Sequence, residues 1–171
     1  MEAEKIGQIR FSVPGNPFGK QRPKFARQGQ FVRTYTPKET LQHEKVVAAL
    51  YEKVAKGKRF EDKVPLDIQI TAYYPIPQAT SKKKRKEMLE HRIRPVVKPD
   101  LDNIAKLIYD ALNGVAWHDD NAIVDTRICK FYSENPRVEI FIQVVDSIIQ
   151  TQQSKGDNGN GIFPKLVDFA F

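Results

Sequence analysis

The chain has 171 residues, 40% of them hydrophobic and 29% charged, which suits one globular domain with a real core and excludes fibrous or disordered classes. No run approaches the ~18 apolar residues of a membrane span, and Met1 to Lys20 has no apolar core behind a basic start, so neither a spanning helix nor a signal peptide is expected and the expected compartment is the cytoplasm. A single cysteine, Cys129, excludes an internal disulfide and a cysteine-rich zinc site; its place in a predicted strand points to burial, not to a nucleophile. The formal charge of +7 directs attention to polyanionic partners.

Gln8 to Val13 alternates polar and apolar residues, which predicts a strand with Ile9, Phe11 and Val13 inward, ended by Pro14-Gly15-Asn16-Pro17. From Phe18 to Tyr35 bases alternate with aromatics around Gln28-Gly29-Gln30, the pattern of a basic hairpin. Lys20, Arg22, Lys24 and Arg27 are placed to hold a nucleic-acid backbone while Phe18 or Phe25 stacks on a base. Thr36-Pro37-Lys38-Glu39 carries a capping-box signature that introduces a helix to about Lys56, with a buried stripe drawn from Leu41, Val46, Val47, Leu50, Tyr51 and Val54. Val64 to Tyr74 alternates as a central strand closed by Pro75 and Pro77.

Ser81 is the expected cap of a basic helix. Between Ser81 and Lys98 stand Lys82, Lys83, Lys84, Arg85, Lys86, Arg92, Arg94 and Lys98 against Glu87 and Glu90, a local balance of +6. Such density fits a phosphate-contacting surface, because each neutralised phosphate releases counterions. A membrane surface fits poorly, since only Met88, Leu89 and Ile93 offer an apolar face.

The stretch from Lys98 to Asp120 carries the chemistry. Pro99 keeps Lys98 extended, so a helix is expected to start with Asp100 as its cap; Leu101, Ile104, Ala105, Ile108, Ala111 and Leu112 recur on one face, and Gly114 supplies the stop. Asp102 and Lys106 lie one turn apart. Asp119 and Asp120 follow a short turn later, where the returning chain is expected to bring them beside Asp100 and Asp102 as a carboxylate cage. Each acid also has an ordinary use, Asp100 as a cap, Asp102 in a surface pair with Lys106, and Asp119-Asp120 as turn formers. Capping leaves Asp102 unexplained, and none of these uses explains four acids beside a lysine in so basic a chain.

Ile123 to Tyr132 and Arg137 to Val145 read as two strands joined by Ser133-Glu134-Asn135-Pro136, an expected hairpin. The stretch from Gln150 to Gly161 has almost nothing apolar to bury, so residues 147–171 are expected to be a flexible tail behind a single domain of residues 1–146. The whole is an α+β domain with a mixed or mainly antiparallel sheet and helices packed on one side. Other motifs fail. An EF-hand loop needs glycine where Ala105 stands and lacks its closing glutamate; an Asp-x-Asp phosphatase loop is broken by Ile104; there is no phosphate-binding or dinucleotide glycine loop, and His43, His91 and His118 are scattered.

Lys98-Pro99-Asp100-Leu101-Asp102-Asn103, Lys106, Asp110-Ala111-Leu112 and Trp117-His118-Asp119-Asp120 together resemble the signature of the RusA family of Holliday junction resolvases of phages and prophages. Pro14-Gly15-Asn16, Gly19-Lys20-Gln21-Arg22-Pro23 and Lys130 are similar to further features of that family, and the likeness runs over about residues 8 to 145. The resemblance implies a RusA-like fold and a homodimer that uses magnesium, with manganese as a substitute, to nick opposing strands of a four-way DNA junction in recombination and repair. By position it implies Asp100, Asp102 and Asp120 as essential acids, Asp119 as a neighbouring metal ligand, Lys106 as a catalytic lysine, and Lys98 and Lys130 among the DNA contacts. The chemistry agrees, since hard magnesium ions held by carboxylates activate water and take up charge in phosphodiester hydrolysis. A nuclease acting on flaps or forks, and a non-catalytic DNA-binding protein, are the alternatives.

Overall fold

The computed structural model describes residues 6–28 and 31–145. Four strands, β1 (Gln8–Pro14), β4 (Leu66–Pro75), β5 (Ile123–Ser133) and β6 (Arg137–Val144), form a sheet in the order β1-β6-β4-β5. Pairing is antiparallel except between β4 and β5, which run parallel. The basic hairpin, β2 (Lys24–Gln28) and β3 (Phe31–Tyr35), is a separate antiparallel ribbon. Helix α1 (Lys38–Ala55) follows it, α2 (Lys82–Leu89) follows β4, and α3 (Leu101–Leu112) leads through a short 3-10 turn at Asp120–Ala122 into β5.

Alternation decides which strands are central. Along β4, Leu66, Ile68, Ile70, Ala72 and Tyr74 are all buried, and Val138, Ile140 and Ile142 of β6 face the same core, so these two strands sit side by side in the middle. β5 begins with the exposed run Val124, Asp125, Thr126 and Arg127 and takes an edge. The expected β5–β6 hairpin therefore does not form: the turn through Ser133–Pro136 steps across the end of β4, where Pro75 closes the ladder, and β6 inserts between β4 and β1.

α1 and α3 pack on one another, with Val47 and Tyr51 of α1 and Ile104, Ala105, Leu107, Ile108, Ala111 and Leu112 of α3 buried. The expected apolar stripe of α1 is narrower than its sequence suggests, because Leu41, Val46 and Val54 are exposed. Phe11 of β1 meets Tyr51 edge-on at 5.9 Å, tying α1 to the sheet. α2 contacts β5, and its Ser81 hydroxyl accepts from the Lys84 amide as expected.

Two other helix starts differ from expectation. α1 is capped by Pro37 in an extended conformation without any side-chain bond, so the Thr36 box is not made; Glu39 instead accepts from Gln21 Nε2 at 2.9 Å. Asp100 does occupy the cap position of α3, but its carboxylate makes no capping bond. At the far end Gly114 turns with φ of 73°, the left-handed stop that the sequence signals. Cys129 is half-buried on β5, and the expected tail lies outside the described residues.

Candidate active site and nucleic-acid interface

Sequence leads one to expect Lys98 to arrive extended; Lys98 and Pro99 instead form a bend joined by a cis peptide bond, directly before Asp100 at the start of α3. Tyr74, at the end of β4, donates its hydroxyl to the Pro99 carbonyl at 3.0 Å and fixes the entrance to the sheet. Burial, first, and the nearby Asp100 carboxylate push the Tyr74 hydroxyl up to about 12. Asp100 and Asp102 are both exposed. Lys106 Nζ bonds Asp102 Oδ2 at 3.2 Å, and this bond holds the Asp102 carboxyl below its usual range. Lys106 is therefore beside the acids on an exposed helix face, with 61% of its side chain accessible.

The second acid pair is built differently. Asp119 caps the 3-10 turn, accepting from the Asn121 amide, and Asp120 is hydrogen-bonded to Asp119. That bond, then partial burial and the charges of Asp119 and Asp110, raise the Asp120 carboxyl above its ordinary value. Asp110 thus stands close to Asp120, while eight residues, about 12 Å of helical rise, separate Asp110 from Asp102. The cage expected from sequence is not closed within one chain: the acids form two pairs toward opposite ends of α3, and among the described residues no three His, Cys, Asp or Glu side chains form a group able to hold a metal ion. The oxygens suit a hard cation in kind, but one chain does not gather them.

A third element is anchored to the same helix. Gly19 packs so tightly that an added Cβ would lie 2.6 Å from the Pro99 Cβ and 3.1 Å from the Asn103 Cβ. The Lys20 amide donates to the Asn103 carbonyl at 2.8 Å, and its ammonium pairs with Asp110. Glu44 of α1 completes this cluster; burial raises its carboxyl, opposed by Lys20 and reinforced by Asp110. Lys20 is consequently tied into the fold through both its amide and its ammonium. Asp110 and Glu44 were missed as its partners, because only the folded loop brings residues 90 positions apart together.

The other expected contacts divide. Lys82, Lys83 and Lys84 are exposed on α2, whereas Arg85 pairs with Glu134 at 2.8 Å and Lys86 with Glu90 at 3.8 Å. Arg22, Lys24 and Arg27 lie exposed on or before the hairpin, and Lys98 is exposed beside Asp100. Lys130, half-buried, donates to the Val97 carbonyl at 2.7 Å, with its ammonium 5.4 Å from the Tyr74 ring centroid. Phe18 stacks on His43 at 3.9 Å and belongs to the domain; Phe25, 73% exposed, and Phe31, 80% exposed, stand out from the hairpin. His118 is exposed.

An α+β scaffold with exposed carboxylates at the start of α3 and in the 3-10 turn before β5, and with exposed bases on α2 and the hairpin, has the charge pattern of a nuclease-type nucleic-acid protein. The profile of the family described as Endodeoxyribonuclease RusA matches residues 14–143. The chain belongs to the RusA endodeoxyribonuclease family and carries its nuclease fold. It is also similar to the uncharacterized protein YqaN of Bacillus subtilis (strain 168), with 35% identity over 143 residues that cover 81% of this chain and 98% of that protein. Among the described residues no helix is long and apolar enough to cross a membrane.

Proposed function

We propose that this chain is a divalent-metal-dependent endonuclease that resolves four-way DNA junctions by paired nicks, working as a homodimer. What supports this reading is the RusA family match over residues 14–143 together with exposed acids at the start of α3 and in the turn before β5. In this reading Asp100 and Asp102 at the start of α3 and Asp119 and Asp120 in the turn before β5 each supply half of a site. A second copy related by a two-fold axis supplies the missing half to each, giving two sites for the two strands of a symmetrical junction. Magnesium, or manganese in its place, would supply water activation and charge neutralisation there. Lys106 adds a cation where phosphate charge develops. Lys82, Lys83, Lys84, Lys98, Arg22, Lys24 and Arg27 hold the DNA backbone, and Phe25 or Phe31 stacks on bases opened at the branch.

The test is nicking of a synthetic four-way junction and a matched duplex, with and without magnesium, by differently tagged mixed dimers. Asp102→Asn and Asp120→Asn homodimers are expected to be inactive. A dimer of one of each carries one intact shared site, so it should nick a single strand and bind manganese at half the wild-type stoichiometry. Mixed dimers as dead as their parents would place each site within one chain. Cutting of flaps in preference to junctions would make the protein a broader structure-selective nuclease, and binding without metal-dependent cutting would make it a non-catalytic binder.

A further inference from the structure

The loop between α2 and α3 displays an apolar side chain that folding does not require. Val96 is 95% exposed and Val97 51%, while Pro95 immediately before them is buried. The backbone bearing them is held on both sides. Before Val96, Arg94 Nε donates to the Lys130 carbonyl at 2.5 Å and its guanidinium lies 3.8 Å from the Phe131 ring centroid. After it, Lys130 Nζ holds the Val97 carbonyl at 2.7 Å and Tyr74 holds that of Pro99. Lys130 thus ties both sides of the loop to β5. The side chain itself is β-branched and stiff about its first torsion. The result is a short, rigid apolar knob on a fixed backbone.

Its position gives the knob a meaning. Asp100 lies four residues on, within about 14 Å of even fully extended chain. Arg94 and Lys98 flank it in the most basic stretch of the sequence, which favours a polyanion over a second copy of the same basic surface. Valine adds nothing to a phosphate contact. What it fits is the apolar part of DNA, a base face exposed at a branch or a thymine methyl group.

We propose that Val96 is a specificity-determining residue that packs against a base beside the phosphate to be cut, so that the cutting position is read in part by an apolar contact. The proposal rests on the nuclease reading above for the phosphate, but the contact itself is measurable without cleavage. Wild type, Val96→Ala and Val96→Ser are compared on junctions carrying 2-aminopurine near the branch, and on junctions with thymine replaced by uracil. Both variants should keep the wild-type melting temperature, and junction affinity within about threefold, because the basic contacts are untouched. Nicking should slow about tenfold and spread over more positions. Loss of the 2-aminopurine response identifies a base face as the contact; equal cutting of thymine and uracil junctions by the variants, but not by wild type, identifies the methyl group. Variants indistinguishable from wild type in cut distribution, 2-aminopurine emission and uracil sensitivity overturn the inference, as does a shift of Val96→Ser to monomer in sedimentation. A wild type that binds without nicking sinks the nuclease reading alone, and the 2-aminopurine comparison still decides Val96.

Discussion

The two ends of α3 solve opposite electrostatic problems with the same residue type. At the entrance Asp102 has Lys106 one turn away, and its carboxyl is held below the ordinary range. At the exit Asp119 and Asp120 press on each other with Asp110 nearby, and the Asp120 carboxyl is raised. At the entrance Asp102 is stabilised by a cation belonging to the chain; the exit is a charge cluster in which Lys20 is already committed to Asp110. Three acids gathered around a raised, exposed carboxyl at the exit are understandable where a divalent cation is the partner.

The largest effect that would break this comparison is on catalysis. Asp102→Asn keeps the shape and removes the charge, so nicking should fall to background while junction affinity, supplied by distant bases, stays within a few fold. Equal nicking by mutant and wild type in a single-turnover assay would remove the entrance acids from the site.

Lys106 comes next. As a mere surface partner of Asp102 it adds little to stability, and Lys106→Ala would leave the rate almost unchanged. Acting where charge develops on the phosphate, its loss should slow the single-turnover rate by ~10²–10³. Lys106→Arg should recover only part, since the guanidinium fork changes length and geometry. An alanine variant within about threefold of wild type returns Lys106 to the helix surface.

The exposed α2 lysines act on affinity alone. Replacing Lys82, Lys83 and Lys84 by glutamine should flatten the slope of log affinity against log salt by ~0.9 for each phosphate that is no longer neutralised, leaving the rate on saturating junction untouched. Arg85 and Lys86, already paired with Glu134 and Glu90, should contribute less than these three lysines. An unchanged slope in the triple variant marks α2 as a solubilising face.

What could be read beforehand follows from how local each signal is. Helix α3, its cap position, its glycine stop and its apolar face are written within fifteen consecutive residues, and the periodicity of β1, β4 and β6 gave their inward faces directly. Strand pairing is not local. Ser133 to Pro136 looks like a hairpin turn, and only the burial demand of β4 and β6 together puts one strand between the two that it joins. The site divides the same way. The identity of the acids was legible because they cluster in sequence, but the approach of Asp110 to Asp120 was not, since it depends on how the chain turns back after α3. The partners of Lys20 and Lys130 within the fold, Asp110 and the Val97 carbonyl, were not legible because they lie 90 and 33 residues away.

The smallest expected effect is the most discriminating for the comparison, because it has opposite signs at the two ends. The Asp102 carboxyl is lowered in the folded chain, so it contributes stability above its unfolded value of 3.8 that is lost as pH falls through the folded value. Asp120 is raised, so its ionised form is a penalty above the folded value, relieved as pH falls through it. Near neutral pH Asp102→Asn should therefore lower the melting temperature and Asp120→Asn should raise it. Both groups are solvent-exposed and screened, so each shift should stay within about 2 °C. At pH 3, where Asp120 is already protonated, its substitution should lose its effect. Saturating magnesium should erase the Asp120→Asn advantage in the wild-type comparison, because a cation bound to the acids removes the repulsion that the amide relieves. Thermal melts of both variants at the two pH values, with and without magnesium, decide the matter: shifts of the same sign would mean that Asp119 and Asp120 are ordinary turn residues and that the asymmetry of α3 has no bearing on metal binding.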